Sequence, residues 1–136
     1  TMSLLAHGGL LEELRRLSAA GFPMFGTCAG MILLANEIAG RKEPILGVID
    51  IAVARNASGR QVDSFETLLD VEGIGSDVPA VFIRAPYVTR VGPSVHVLAW
   101  HQGVAVMARQ GKILVASFHP ELTEDLRIHR VFVDMI

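Results

Sequence analysis

Leu10, Leu11, Leu14 and Leu17 recur at intervals of three and four with Glu12, Glu13, Arg15 and Arg16 between them, the spacing of an amphipathic helix that turns one face to a core. Gly21 and Pro23 end that pattern. Met24–Thr27 reads as a short apolar strand, and residues 29–39 as a second helix closed by Gly40. From Leu46 the period changes. Residues 46–55 are apolar and β-branched, residues 56–61 are a polar loop, and residues 68–71 and 80–84 are short strands, the last of them broken by Pro86. Residues 95–100, 104–109 and 112–118 follow in quick succession, and Gln110-Gly111 is short enough to join the last two as a hairpin. A closing helix is predicted over residues 124–135, where Leu126, His129 or Arg130, and Val133 recur at helical spacing. The order is helix, strand, helix, then a strand-rich stretch that is antiparallel in part, with no repeat, low-complexity segment or linker.

Composition narrows this picture. At 136 residues, 51% of them apolar, the chain has the length of one domain and enough apolar surface for one core. A formal charge of -2, with no basic run longer than the pairs Arg15-Arg16 and Arg41-Lys42, argues against a nucleic-acid partner. No apolar stretch approaches the roughly 20 residues of a membrane span, and no charged segment precedes an apolar one in the manner of a signal peptide. The single cysteine excludes an internal disulfide and is compatible with a reduced thiol, so a soluble cytoplasmic protein with no membrane contact is expected. The chain opens on Thr1 with helix-forming sequence close behind, which reads as a processed or incomplete chain.

The candidate chemistry sits where the first strand meets the second helix. Gly26-Thr27-Cys28-Ala29-Gly30 has the layout of a nucleophile elbow with a thiol for the hydroxyl; flanking glycines allow a cramped backbone that lifts Cys28 above the sheet edge. Taken alone, a lone buried cysteine is most often a small core residue. At the first turn of a helix, however, unpaired N–H groups and the macrodipole stabilise a thiolate and lower the thiol pKa. The Ala29 amide, next after the nucleophile, is the expected oxyanion donor. Much later the apolar run 113–118 delivers His119-Pro120-Glu121. Residues two apart on leaving a strand face the same way, so Glu121 can fix the tautomer of His119 while the other ring nitrogen faces the thiol. Glu121 reads equally as a solvated acid beside Thr123 and Glu124. A cysteine nucleophile, an imidazole and a carboxylate together point to acyl transfer.

Other chemistries find less support. His7, His96, His101 and His129 have no partner pattern around them and read as ordinary histidines; one cysteine with scattered histidines lacks the short-spaced pairs of a metal site. The glycines fit neither phosphate-binding spacing. Arg55 and Arg84 each end an apolar strand. Either is a surface arginine, or a rim arginine placed to grip a carboxylate bidentately where open α/β sheets bind ligands; the residue chemistry leaves both readings open.

Gly26 to Ile32, Arg55 to Gln61, Phe82 to Pro86 and Ser117 to Thr123, taken together, resemble class I (triad) glutamine amidotransferases, and within them the PdxT/SNO family of glutaminase subunits of pyridoxal 5'-phosphate synthase. The elbow and His-Pro-Glu are shared across the class, whereas the stretches from Arg55 and from Phe82 are narrower. The resemblance spans residues 1–136 and implies one glutaminase domain of α/β class, a flavodoxin-like mixed sheet flanked by helices. It implies hydrolysis of L-glutamine to glutamate and ammonia by Cys28, His119 and Glu121, with Arg55, Ile83 and Arg84 at the glutamine site and Ala29 in the oxyanion hole. No metal and no cofactor is implied. The implied partner is the barrel-shaped synthase subunit PdxS, which receives the ammonia. The family opens with further strands and a Gly-Gly-Glu-Ser loop that supplies a second oxyanion donor; these are absent here, and the chain stops slightly early in the last helix. Rival readings are a glutaminase of another biosynthetic pathway, a non-catalytic fragment that only docks to the synthase, and a cysteine hydrolase acting on peptides or γ-glutamyl tails.

Overall fold

Strand β9 (Ile113–Ala116) is the centre of the molecule, buried along its whole length. In the structure, a computed structural model describing residues 9–55 and 64–136, Ile113 and Val115 join one apolar cluster while Leu114 and Ala116, with Phe118 beyond the strand, join another. A strand covered on both faces reads as a continuous apolar run, which is why residues 113–118 show no alternation. The loop read at residues 56–61, and His7, lie outside the described residues.

Along the chain come α1 (Leu10–Ala19), β1 (Met24–Thr27), α2 (Ala29–Leu34), β2 (Ala35–Ile38) and β3 (Ile49–Ala54). After these come β4 (Ser64–Val71), β5 (Gly75–Ile83), β6 (Tyr87–Val91), β7 (His96–His101), β8 (Val104–Gln110), β9, a 3-10 turn (Pro120–Leu122) and α3 (Arg127–Asp134). Among the described residues the main sheet has the order β1-β9-β8-β7. β1 runs parallel to β9 in the register Met24↔Ile113 to Thr27↔Ala116. β8 returns antiparallel from Gln110↔Ile113 through a tight turn in which Gly111 has φ 58°, a conformation glycine takes at little cost. A second sheet, β2-β3-β6, pairs β2 parallel and β6 antiparallel to β3, and β4 with β5 forms a long hairpin.

Helices α1 and α2 and the second sheet cover one face of the main sheet, the hairpin and α3 the other. α1 buries Leu11 and packs Leu14 beside it, as its spacing predicts. The Arg15 Nη2 donates to the Ile45 carbonyl at 2.8 Å, tying the helix to the segment before β3. On the opposite face Ile128 of α3 packs against the cluster that holds Leu69, Val78 and Phe82 of the hairpin. No helix among the described residues is long and apolar enough to cross a membrane.

Three expectations shift. The helix predicted over 29–39 stops at Leu34; Ala35 turns extended (φ −64°, ψ 145°) and the chain continues as β2 beside β3, with Ala35 and Ile38 buried and Asn36 and Glu37 exposed. Tertiary pairing overrides a helical pattern there. Pro86, read as the end of a strand, is followed at once by β6, whose register on β3 begins at Tyr87↔Ala54. The closing helix is shorter than the predicted 124–135, running from Arg127 to Asp134; just before it the Asp125 carboxylate accepts the Arg127 amide at 3.0 Å, a local side-chain turn in place of the first helical turn.

Candidate active site

Cys28 occupies the one-residue corner between β1 and α2 with φ 51° and ψ −110°, outside the conformations that a residue with a side chain readily adopts. Such strain costs on the order of 1–3 kcal/mol and persists only where the surroundings over-determine it. They do so here. The Cys28 amide donates to the Ala116 carbonyl at 2.9 Å, continuing the parallel β1–β9 ladder one residue past Thr27, and the Cys28 carbonyl accepts the Met31 amide at 3.0 Å to open α2. Gly26 makes the sharp turn possible, since a Cβ there would sit 2.6 Å from the Gly30 carbonyl oxygen. Gly30 itself is not sterically required, for a Cβ on it would meet nothing within 4 Å. The elbow therefore needs its first glycine for space and not its second.

The sulfur is half-buried and faces the end of β5, with Cys28 Sγ 3.8 Å from the Ile83 carbonyl oxygen. Burial is the dominant influence on the thiol and pushes its pKa up from the ordinary value. A hydrogen bond from the Ala29 amide opposes this, Glu121 adds to the rise through its negative charge, and Arg55 lowers the pKa through its positive one. The expectation that the helix start would leave the thiol more acidic is thus reversed: the amide acts in the expected direction but desolvation outweighs it. Arg55 and Glu121 are thus within electrostatic range of Cys28.

His119 follows β9 and is held by its own backbone, its amide donating to the Val81 carbonyl of β5 at 2.8 Å. Its Nδ1 lies 3.1 Å from both carboxylate oxygens of Glu121. An acceptor-only carboxylate selects the tautomer with the proton on Nδ1, leaving Nε2 free to accept a proton. Buried Pro120 begins the 3-10 turn that carries Glu121 to the Nδ1 edge of the ring. The reading of Glu121 as a solvated acid gives way to an imidazole partner that remains partly open to water.

Ile83 and Arg84 contribute differently from one another. Ile83 offers its carbonyl to the sulfur, while Arg84 takes a left-handed conformation, φ 43°, that ends β5. Arg84 lines a pocket of about 410 Å³ with Phe65, Phe82, Tyr87, His101 and Ser117, which neither Cys28 nor His119 lines. Two of the histidines read as ordinary have partners: His96 Nε2 lies 2.6 Å from Glu72 Oε2, and His101 stacks on Phe65 and Phe82. Among the described residues no group of three or more His, Cys, Asp or Glu side chains is arranged to hold a metal ion. The carbonyls of Ala116 and Val81, which anchor the elbow and His119, escaped the sequence reading because a backbone acceptor has no residue-type signature.

A family model described as the SNO glutamine amidotransferase family matches residues 1–136. The pyridoxal 5'-phosphate synthase subunit PdxT of Carboxydothermus hydrogenoformans is 57% identical over 134 residues, which are 98% of this chain and 70% of that protein. The subunit of the same name from Brevibacillus brevis is 53% identical over 137 residues, 100% of this chain and 72% of its own length. A crystal structure of a glutamine amidotransferase superposes with a TM-score of 0.92 at 51% identity, covering 98% of this chain and 71% of that one. A glutamine amidotransferase from Thermotoga maritima, 13% identical with a TM-score of 0.55 over 96% of this chain and 54% of its own, shares the fold alone.

Proposed function

The chain belongs to the SNO glutamine amidotransferase family, and we propose that it hydrolyses L-glutamine to L-glutamate and ammonia as the glutaminase subunit of a pyridoxal 5'-phosphate synthase. The observations that support this reading are the strained Cys28 elbow facing the Ile83 carbonyl and the His119–Glu121 pair that follows β9, whose carboxylate acts electrostatically on the Cys28 sulfur. In this reading residues 1–136 act as one glutaminase domain in the reducing cytoplasm, and the ammonia passes to a PdxS-type synthase subunit.

The proposed chemistry has two halves, formation of a thioester and its hydrolysis. His119 Nε2 takes the thiol proton as Cys28 Sγ bonds to the side-chain amide carbon of glutamine. The carbonyl oxygen of the substrate gains the negative charge, and the Ala29 amide transfers its hydrogen bond from sulfur to that oxygen. The imidazolium, stabilised by Glu121, then gives its proton to the amide nitrogen, the C–N bond breaks and ammonia leaves a γ-glutamyl thioester. Water, losing a proton to His119, attacks the thioester; glutamate departs and the thiol is restored. Arg55 is assigned to the carboxylate end of glutamine, and the Ile83–Arg84 corner to the wall against which the substrate lies.

A thiol pKa raised by burial supports a site that rests as the neutral thiol near neutral pH and needs a base to take its proton for attack. The decisive test is Cys28→Ala in the complete protein assembled with its synthase partner. Loss of ammonia release with assembly intact is the expected result, and wild-type ammonia release from that variant would overturn the reading.

A further inference from the structure

We propose that His101 is a positioning residue of the glutamine site, acting through an aromatic stack on the corner that faces Cys28. The inference rests on the glutaminase reading. Phe65 and Phe82 are direct cross-strand partners in the β4–β5 hairpin, and their rings lie parallel at 4.6 Å between centroids. His101, the last residue of β7, closes the stack from the main sheet, 5.4 Å from Phe65 and 5.7 Å from Phe82 with 28° between planes in each case. Phe82 also leans on Phe118 at 5.5 Å. The residue after Phe82 is Ile83, whose carbonyl meets the Cys28 sulfur; the residue after Phe118 is His119, whose amide is bonded to Val81. Buried Phe82 is therefore flanked in sequence by Val81, whose carbonyl holds the His119 amide, and by Ile83, whose carbonyl meets the sulfur, and His101 braces the Phe65–Phe82 pair from another strand.

The need for a brace is visible in the backbone. Arg84 holds φ 43°, a conformation that relaxes unless its surroundings enforce it. Behind the corner lies the pocket of about 410 Å³ that Arg84, Phe82 and His101 share, so the end of β5 has space to settle into once the His101 ring is removed. Such a movement draws the Ile83 carbonyl away from the sulfur while leaving the elbow, which hangs on β9, in place.

The test compares His101→Ala and His101→Leu with His101→Phe, which keeps a flat ring, in the complete protein assembled with its synthase partner. His101→Ala and His101→Leu are expected to raise the KM for glutamine about 10- to 100-fold, with kcat less affected, and His101→Phe to restore it. In parallel, Cys28 labelling by a glutamine-shaped chloroketone should slow in the first two variants while labelling by iodoacetamide stays near wild type. Unfolding would raise iodoacetamide labelling instead, and that result overturns the proposal by making His101 a stability residue. Equal KM in all four proteins overturns it as well. A wild-type protein that neither releases ammonia nor reacts with the chloroketone identifies a failure of the glutaminase reading rather than of the brace.

Discussion

At Cys28, burial and catalysis make opposite demands: desolvation holds the thiol neutral, while attack needs a thiolate. The Ala29 amide, Arg55 and Glu121 adjust that balance with known signs. The rate of iodoacetamide labelling of Cys28 against pH should rise with a midpoint above that of an ordinary cysteine, since labelling tracks the thiolate fraction. Glu121→Gln removes a negative charge and should lower the midpoint; Arg55→Ala removes a positive one and should raise it. Shifts in the reverse order would show that these side chains do not act on the sulfur as their charges require. For turnover, His119→Asn should cost about 10²- to 10⁴-fold in ammonia release, the usual worth of a proton carrier, and Glu121→Gln less, because it perturbs the tautomer without removing the carrier. Near-equal activity of His119→Asn and wild type, measured with the synthase present, would remove His119 from the mechanism. A KM for glutamine unchanged in Arg55→Ala would return Arg55 to the surface.

At the scale of the elements, the elbow separates two glycines that the sequence makes look equivalent. Gly26→Ala drives a Cβ into the Gly30 carbonyl and the Leu34 side chain, so β1 and α2 must part, at a cost of about 1–3 kcal/mol. Gly30→Ala meets open space inside a helix and should be neutral or stabilising by up to about 1 kcal/mol. Urea unfolding of the two variants checks the contrast; equal destabilisation would mean that the packing of the elbow is misread. The comparison shows what was legible. Motif spacing gave Cys28, His119 and Glu121 their surroundings because a side chain at a strand end is located by the strand that carries it. Which glycine is crowded was hidden, since that depends on a carbonyl four residues on. The early end of α2 was hidden for the same kind of reason. Asn36 and Glu37 suit a helix surface or an exposed strand face equally, and only the parallel partner strand β3, from Ile49 to Val53, decides. β6 went unread because Pro86 signals a break and says nothing of a new strand pairing with β3 immediately after it.

Across the whole molecule the site is assembled from three separated pieces, the corner after β1, the exit of β9 and the end of β5, and two backbone hydrogen bonds join them. Cys28 N–H to Ala116 fixes the corner to β9, and His119 N–H to Val81 fixes the exit of β9 to the hairpin. β9 is central and buried on both sides, whereas the hairpin's backbone hydrogen bonds to the main sheet and its exits, among those between described residues, are the Glu72 amide on Leu98 and that His119 bond, supplemented by the His96–Glu72 pair, the Cys28–Ile83 contact and apolar packing. Elements held by fewer backbone bonds open at lower free energy than a central strand. Amide exchange should accordingly be slowest along β9 and at Cys28, and faster at His119 and through β5, where opening of the hairpin releases them together. Covalent modification of Cys28 by a glutamine analogue bridges corner and hairpin through the bound ligand. It should slow exchange at His119 and along β5 while changing β9 little, because only the hairpin gains a restraint it lacked. Uniform protection over the whole chain would show that the hairpin does not open separately. No protection at β5 would show that the substrate does not touch the Ile83–Arg84 corner, and Cys28 would then have to act without that wall.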